Sequence, residues 1–275
     1  MINSLGTQPY VILIDDSNDD GRLDLAVTFV NQSSVGMIID YGNGSFATPI
    51  VVHTGLNPSS IVIADLNNDK RRDLAVVNAN NNIVSIYFGD GNNSFIEQTT
   101  FSTELNPRWI ATADFNNDQH SDLTITNYNS NSMRVFIAAG SGSFEAYETL
   151  NTSSGPNSIA IGDFNSDNNV GLFFGNLSGT FDPQVTFTIG SSSDSVAITD
   201  TNRDGHLDFA VINRGNNLLQ VFLGYGNKSF SSPSSFEMGL NPFSIAVGDF
   251  NRDGQSDLAI INTGSSNVGI VLSKC

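Results

Sequence analysis

The chain has 275 residues, 39% of them hydrophobic and only 14% charged, with 28 acidic side chains against 11 basic and a net charge of −17. That balance disfavours nucleic acid and anionic membrane surfaces as partners, and no apolar run is long enough to insert across a bilayer. The single cysteine, Cys275, leaves no internal disulfide to form, and no signal peptide precedes the first apolar segment.

Along the chain, a nine-residue acidic stretch recurs six times, starting at Asp16, Asp65, Asp114, Asp163, Asp200 and Asp249. The starts lie 49 residues apart, except for 37 between the fourth and fifth. Phe46, Phe95, Phe144, Phe181 and Phe230 keep the same spacing, and so do Pro9, Pro58, Pro107, Pro156 and Pro242, with Ser193 in the proline's place once. Three markers on one period identify an internal repeat, which decides the fold class.

The second unit serves as template. Pro58 opens a turn, Ile61 to Ala64 reads as a short apolar strand A, and Asp65 to Asp73 is the acidic loop. Leu74 to Val77 is strand B, Ile83 to Phe88 strand C and Phe95 to Phe101 strand D, joined by turns rich in Asn and Gly. Four antiparallel strands per 49 residues match one propeller blade, which buries its two faces only against neighbouring blades. The expectation is therefore an all-β β-propeller of about six four-stranded blades over residues 1–275. The fourth blade is truncated: after Asn168 the chain passes directly to a strand C, and distortion is expected over Asn168 to Gly175. The last unit ends in strand C, and Met1 to Leu5 stands where the other units end strand D, so a closing clasp is one reading and a frayed end of a partial domain the other.

The clearest acidic stretch reads DFNRDGQSD, with oxygen-bearing side chains at positions 1, 3, 5 and 9: Asp249, Asn251, Asp253 and Asp257. Gly254 occupies position 6, where a tight loop needs φ > 0. Oxygen-only donors at alternating positions suit a hard cation, and Ca²⁺ is the usual occupant. The plainer alternative is a hairpin turn, which has no use for an acid at position 9.

These loops, with the pairs Phe88-Gly89 and Phe174-Gly175, resemble the FG-GAP repeat family, also described as VCBS-type repeats, the repeat of the integrin α-subunit propeller and of some fungal lectins. The resemblance covers essentially the whole chain. Many members carry seven blades, so the six units here also fit a piece of a larger seven-bladed or multidomain protein. It implies Ca²⁺ ligands at Asp16, Asn18, Asp20 and Asp24; at Asp65, Asn67, Asp69 and Asp73; and at Asp114, Asn116, Asp118 and Asp122. It implies the same for Asp200, Asn202, Asp204 and Asp208, and for Asp249, Asn251, Asp253 and Asp257. Asp163, Asn165 and Asp167 match in part. Position 7 (Arg22, Arg71, His120, His206, Gln255) would give only a backbone carbonyl. Position 6 is Lys70 and Gln119 in two loops, where φ > 0 costs roughly 1 kcal/mol.

In such propellers partners bind the face opposite the ion loops. Here that face would present Arg108, Trp109, Tyr128, Arg214 and Phe243, with Trp109 and Phe243 read first as strand residues packed between blades. A protein-recognition or adhesion module is the leading function. A glycan-binding lectin is the alternative, since aromatics for sugar stacking do not repeat from blade to blade. A propeller hydrolase ranks last: the acids are committed to loops, and His53, His120 and His206 stand apart. The sequons at Asn31, Asn43, Asn92, Asn151, Asn176 and Asn227 permit an extracellular or cell-surface location.

Overall fold

A computed structural model of the chain describes residues 8–43, 45–152, 155–164, 193–227 and 229–273. Two compact units are present, Met1–Asp114 with Asp118–Pro156, and Phe115–Asn117 with Asn157–Cys275.

The first unit holds three up-and-down antiparallel sheets. They are β1 to β4 (Pro9–Asp15, Asp24–Phe29, Ser34–Ile38, Ile50–His53), β5 to β8 (Pro58–Ala64, Asp73–Asn78, Ile83–Gly89, Phe95–Ser102) and β9 to β12 (Pro107–Ala113, Asp122–Asn127, Ser132–Ala138, Phe144–Asn151). The second unit holds β13 to β16 (Ser193–Thr199, Asp208–Asn213, Leu218–Phe222, Ser234–Glu237) and a three-stranded sheet, β17 to β19 (Pro242–Gly248, Asp257–Asn262, Asn267–Val271). The only helix among the described residues is a single 3-10 turn at Val30–Gln32. Up-and-down sheets stacked face to face are the blades of a β-propeller.

The near-continuous apolar runs of strands A and B follow from burial on two faces. In the second sheet, Ile61, Ile63, Leu74, Val76 and Tyr87 pack against Ala26, Val35, Met37 and Val52 of the first. The alternate residues Val62, Ala64, Ala75, Val77, Val84 and Ile86 pack against Ile110, Leu123, Ile125 and Phe136 of the third. Successive side chains of one strand thus serve two different cores. Tyr87 also donates its hydroxyl to the carbonyl of His53, at 2.9 Å. In the second unit, Ala210, Ile212, Leu219 and Val221 meet Leu258 and Ile260 in the same way.

Three expectations change. The described residues form five sheets, four of four strands and one of three, where six four-stranded blades were expected. The truncated fourth unit beyond Phe164, with Asn165, Asp167 and the stretch Asn168 to Gly175, lies outside the described residues, as does the clasp segment Met1 to Leu5. Pro58, Pro107 and Pro242 do not sit in turns: each is the first residue of a strand A, where its missing N–H costs no ladder bond. In the first and fourth sheets, strand D is broken after its phenylalanine. Phe46 and Phe230 make isolated bridges to Asp40 and Gly224, and pairing resumes at Ile50 and Ser234, just past Pro49 and Pro233.

Candidate metal loops and the opposite end

In each described sheet the acidic loop joins strands A and B, and in the four-stranded sheets the C–D turn lies at the same end. Five loops are described in full and share one hydrogen-bond pattern. The position-1 carboxylate accepts the backbone N–H of position 6: Asp16 from Gly21 at 2.7 Å, Asp65 from Lys70 at 2.8 Å, Asp114 from Gln119 at 2.8 Å, Asp200 from Gly205 at 2.9 Å and Asp249 from Gly254 at 2.8 Å. The position-5 carboxylate accepts the N–H of position 7, from Arg22, Arg71, His120, His206 and Gln255, at 2.8–3.0 Å. Oxygens of positions 1 and 3 converge on one N–H. Asp20 N–H lies 3.0 Å from Asp16 Oδ1 and 3.1 Å from Asn18 Oδ1; Asp69 N–H lies 3.1 and 2.9 Å from Asp65 and Asn67. Asp253 N–H repeats this with Asp249 and Asn251, at 3.1 and 2.9 Å.

Position 6 has φ > 0 in all five loops, at 81° for Gly21, 83° for Gly205 and 79° for Gly254, but also at 66° for Lys70 and 70° for Gln119. Position 4 is left-handed as well, in Asp19, Asn68, Asn117, Arg203 and Arg252. The sequence reading missed this second bend. Asn and Asp at three of the five copies carried the signal, since these residues tolerate the left-handed region best.

The ninth-position acid departs from expectation. Asp24, Asp73, Asp122, Asp208 and Asp257 are buried, at 0–1% exposure, apart from the exposed acids of position 5. One oxygen of each accepts a backbone N–H from the far end of strand C: Asp40, Gly89, Ala138, Gly224 and Ser273, at 2.8–2.9 Å. The other oxygen accepts the N–H of position 2 in four loops, from Ser17, Leu66, Thr201 and Phe250. This acid therefore staples the A–B loop to strand C, a structural duty that a plain turn does require. Among the described residues no three His, Cys, Asp or Glu side chains gather into a group that could hold a metal. The physical reason is the division just described: the ninth carboxylate faces inward, and position 3 supplies an amide.

The remaining donor set still fits a hard cation. Positions 1, 3 and 5 offer two carboxylates and an amide oxygen, whereas the ninth acid of the first and fourth loops is filled on one oxygen by both the N–H and the hydroxyl of Ser17 or Thr201. In the fourth sheet, Asp200 Oδ1 is buried with no hydrogen-bond partner. Asp204 stays ionised below the usual carboxylate range, because the Asn202 amide and then the His206 N–H donate to it. Asp20 of the first loop already has a cation: Arg22 Nη1 lies 3.0 Å away. Arg72 reaches from the second loop to Asp15 and Asp19, at 3.8 and 3.6 Å. A cavity of about 70 Å³, lined by Asp65, Asn68, Gln119 and His120 among others, opens between the second and third loops.

Position 7 is less free than expected. A Cβ on Gly140 would lie 2.7 Å from the His120 ring, and one on Gly226 2.3 Å from that of His206, so these rings fill the space left by C–D turn glycines. Gly89, of the Phe88-Gly89 pair, donates to Asp73, and a Cβ there would meet the Arg72 carbonyl oxygen at 2.1 Å.

The opposite end of each sheet carries the D–A and B–C turns. In the first unit it brings Arg108 and Tyr128 together, with the guanidinium carbon 5.2 Å from the ring centroid. Trp109 is half-buried within β9 opposite Thr126, whose hydroxyl accepts its N–H at 3.1 Å. In the second unit, Arg214 is exposed on a B–C turn and Phe243 is 37% exposed in β17. The sequence reading passed over a leucine two residues before the proline in three units, Leu56, Leu105 and Leu240, each 56–59% exposed. Its period was readable beside the proline marker.

No helix among the described residues is long and apolar enough to cross a membrane. Comparison with known proteins supports the same fold. The chain superposes on BBS1N, from its crystal structure in complex with ARL6DN, with a TM-score of 0.66 at 14% identity, covering 97% of this chain and 79% of that one. It also superposes on a catalytically inactive virginiamycin B lyase from Staphylococcus aureus, crystallised with quinupristin, with a TM-score of 0.58 at 15% identity, covering 97% and 84%. No curated protein matches it. The FG-GAP-like repeat matches residues 16–76, 65–125, 114–170 and 200–260. With well over half its length matched in register with its own loops, the chain belongs to the FG-GAP-like repeat family.

Proposed function

We propose that this β-propeller is a calcium-binding recognition module, with Ca²⁺ held by the A–B loops and a protein partner bound at the opposite end of the sheets. Asp200 Oδ1 carries the calcium reading: a buried carboxylate oxygen without a donor, in a loop otherwise built like its neighbours, calls for a cation. When bound, Ca²⁺ would neutralise the crowded acids of positions 1 and 5. Asp16, Asn18 and Asp20, and their counterparts in the other four loops, would supply the exposed oxygens. Asp24, Asp73, Asp122, Asp208 and Asp257 would hold loop and strand C in place beneath it. Adhesion at an extracellular or cell-surface location fits the millimolar calcium such short, exposed loops need. No catalytic role is proposed.

Terbium luminescence tests the metal reading. Tyr41 and Tyr225 lie on C–D turns that pack against Arg22 and His206 of the first and fourth loops, and this closeness suits them to sensitise a bound lanthanide. Emission that Ca²⁺ competes away, and that Asp200→Ala with Asp204→Ala weakens, is expected. Emission indifferent to Ca²⁺ counts against the loops as metal sites. The glycan-binding alternative has one observation in its favour, the same two tyrosines, which repeat an exposed aromatic at one turn position.

A further inference from the structure

Leu56, Leu105 and Leu240 are held in an unusual way for exposed apolar residues. Each backbone is fixed on two sides by the neighbouring B–C turn. Their N–H groups donate to Asn81 Oδ1 at 2.5 Å, Ser130 Oγ at 2.9 Å and Ser265 Oγ at 2.6 Å. Their carbonyls accept the N–H of Asn80, Asn129 and Gly264, at 3.3, 3.2 and 2.8 Å. The next residue, Asn57, Asn106 or Asn241, is left-handed and redirects the chain into strand A. The backbone is thus fixed while the side chain stays in water. With the backbone already ordered, only the rotamers of the leucine side chain remain to be fixed when a partner covers it.

Around Leu105 this apolar point adjoins a cation. Tyr128 N–H donates to the Asn106 carbonyl at 2.9 Å, which seats the Tyr128 ring beside the leucine turn. The Arg108 guanidinium lies over that ring, and Arg108 Nε is buried without a hydrogen-bond partner. None of the ion pairs among the described residues includes Arg108. The nearby carboxylate of Glu104 is engaged by the Ser132 hydroxyl.

We propose that Leu105, Arg108 and Tyr128 form a docking patch for a protein segment that sets a carboxylate on Arg108 and an adjoining apolar side chain on Leu105. This rests on the reading of that end as the recognition end. The charge of the acidic loop does not oppose it, which leaves Glu104, beside Leu105 and bonded by the Ser132 hydroxyl, as the local negative charge that Arg108 must outweigh. The acidic loop stands at the far end of the seven-residue β9, roughly 20 Å away, beyond two Debye lengths of about 8 Å at physiological salt. Charge complementarity at the patch is therefore local, and Arg is the side chain suited to forked recognition of a carboxylate. A sugar fits less well, because Arg108 covers one face of the Tyr128 ring and Leu105 offers no hydrogen bond.

The test is selection of random 12-residue peptides displayed on phage against the full chain, followed by fluorescence anisotropy with the selected peptides made synthetically. Convergence on an acidic residue flanked by apolar ones is expected. Affinity should fall roughly tenfold or more in Arg108→Gln and in Leu105→Ser, as for loss of a partner in a charge pair or an anchor. Arg108→Lys should recover part of it, and Leu240→Ser, in the other unit, should leave it unchanged. Folding of every variant is checked by melting. Selected peptides that lack an acid, or that bind the Arg108 and Leu105 variants as tightly as the parent, overturn the patch. If those same peptides weaken with Arg214→Ser or Phe243→Ser, the turns of the second unit bind them, and the recognition reading stands while the patch falls. If no peptide is selected, both fall.

Discussion

Replacing Asp73 separates the structural duty of the ninth-position acid from any part in metal binding. Asp73 is fully buried and accepts the N–H of Leu66 and of Gly89, each at 2.9 Å. Burial lifts its carboxyl from 3.8 to about 6, against the pull of those two hydrogen bonds. In metal-free protein at pH 7 this disfavours the ionised form by on the order of 2 kcal/mol, after a discount for residual solvent screening. Asp73→Asn removes that cost but sets an amide donor against one N–H, losing roughly 1–3 kcal/mol. The two effects nearly cancel, and the variant should lie within about 1 kcal/mol of the parent in chelator. Asp73→Ala strands both N–H groups, and a loss of roughly 2 kcal/mol or more is expected. The pH dependence has a defined sign. The folded carboxyl holds its proton to higher pH than the unfolded chain, so its contribution is full below 3.8 and is lost as pH rises through about 6. Urea denaturation in chelator between pH 4 and 7 should show the parent losing stability relative to Asp73→Asn over that window. Equal pH slopes, or an alanine variant as stable as the asparagine one, would refute the reasoning.

Lys70→Gly and Gln119→Gly relieve left-handed strain present in the folded loop and should each raise stability by up to about 1 kcal/mol, read as a higher urea midpoint; a lower midpoint would mean those side chains hold the loop. Gly89→Ala sets a methyl group 2.1 Å from the Arg72 carbonyl oxygen and should cost roughly 1–3 kcal/mol with a matching fall in melting temperature. Tyr87→Phe loses the hydrogen bond to His53 between the first two sheets and should cost about 1 kcal/mol, while melting unchanged would show that bond to be idle.

Much of the fold was legible because the repeat writes each strand, turn and loop several times, and period-2 alternation of large apolar residues on two buried faces admits no helix. Strand ends at Asp73, Gly89 and Ser102 fell within two residues of expectation. The role of the ninth acid was not legible. A ligand and a staple require the same side chain, and only burial tells Asp73 from Asp69. Loop position 4 was hidden because Arg203 and Arg252 occupy a bend that sequence rules assign to Gly or Asn. Among the recognition residues, the aromatics and arginines drew notice by type. Leu56, Leu105 and Leu240 did not, since an apolar residue near a strand is read as core.

The most direct test of the account is calorimetric titration of metal-free protein with Ca²⁺, alongside melting in chelator and in millimolar Ca²⁺. Saturable heat with dissociation constants on the order of 10⁻⁴ to 10⁻³ M is predicted. So is a melting temperature raised by about 2.7 kcal/mol of stabilisation per site at a hundredfold excess over the constant. The first loop, where Arg22 already neutralises Asp20, should be among the weaker sites. No heat of binding, with melting indifferent to Ca²⁺, would contradict the account and leave the loops as hydrogen-bonded turns alone.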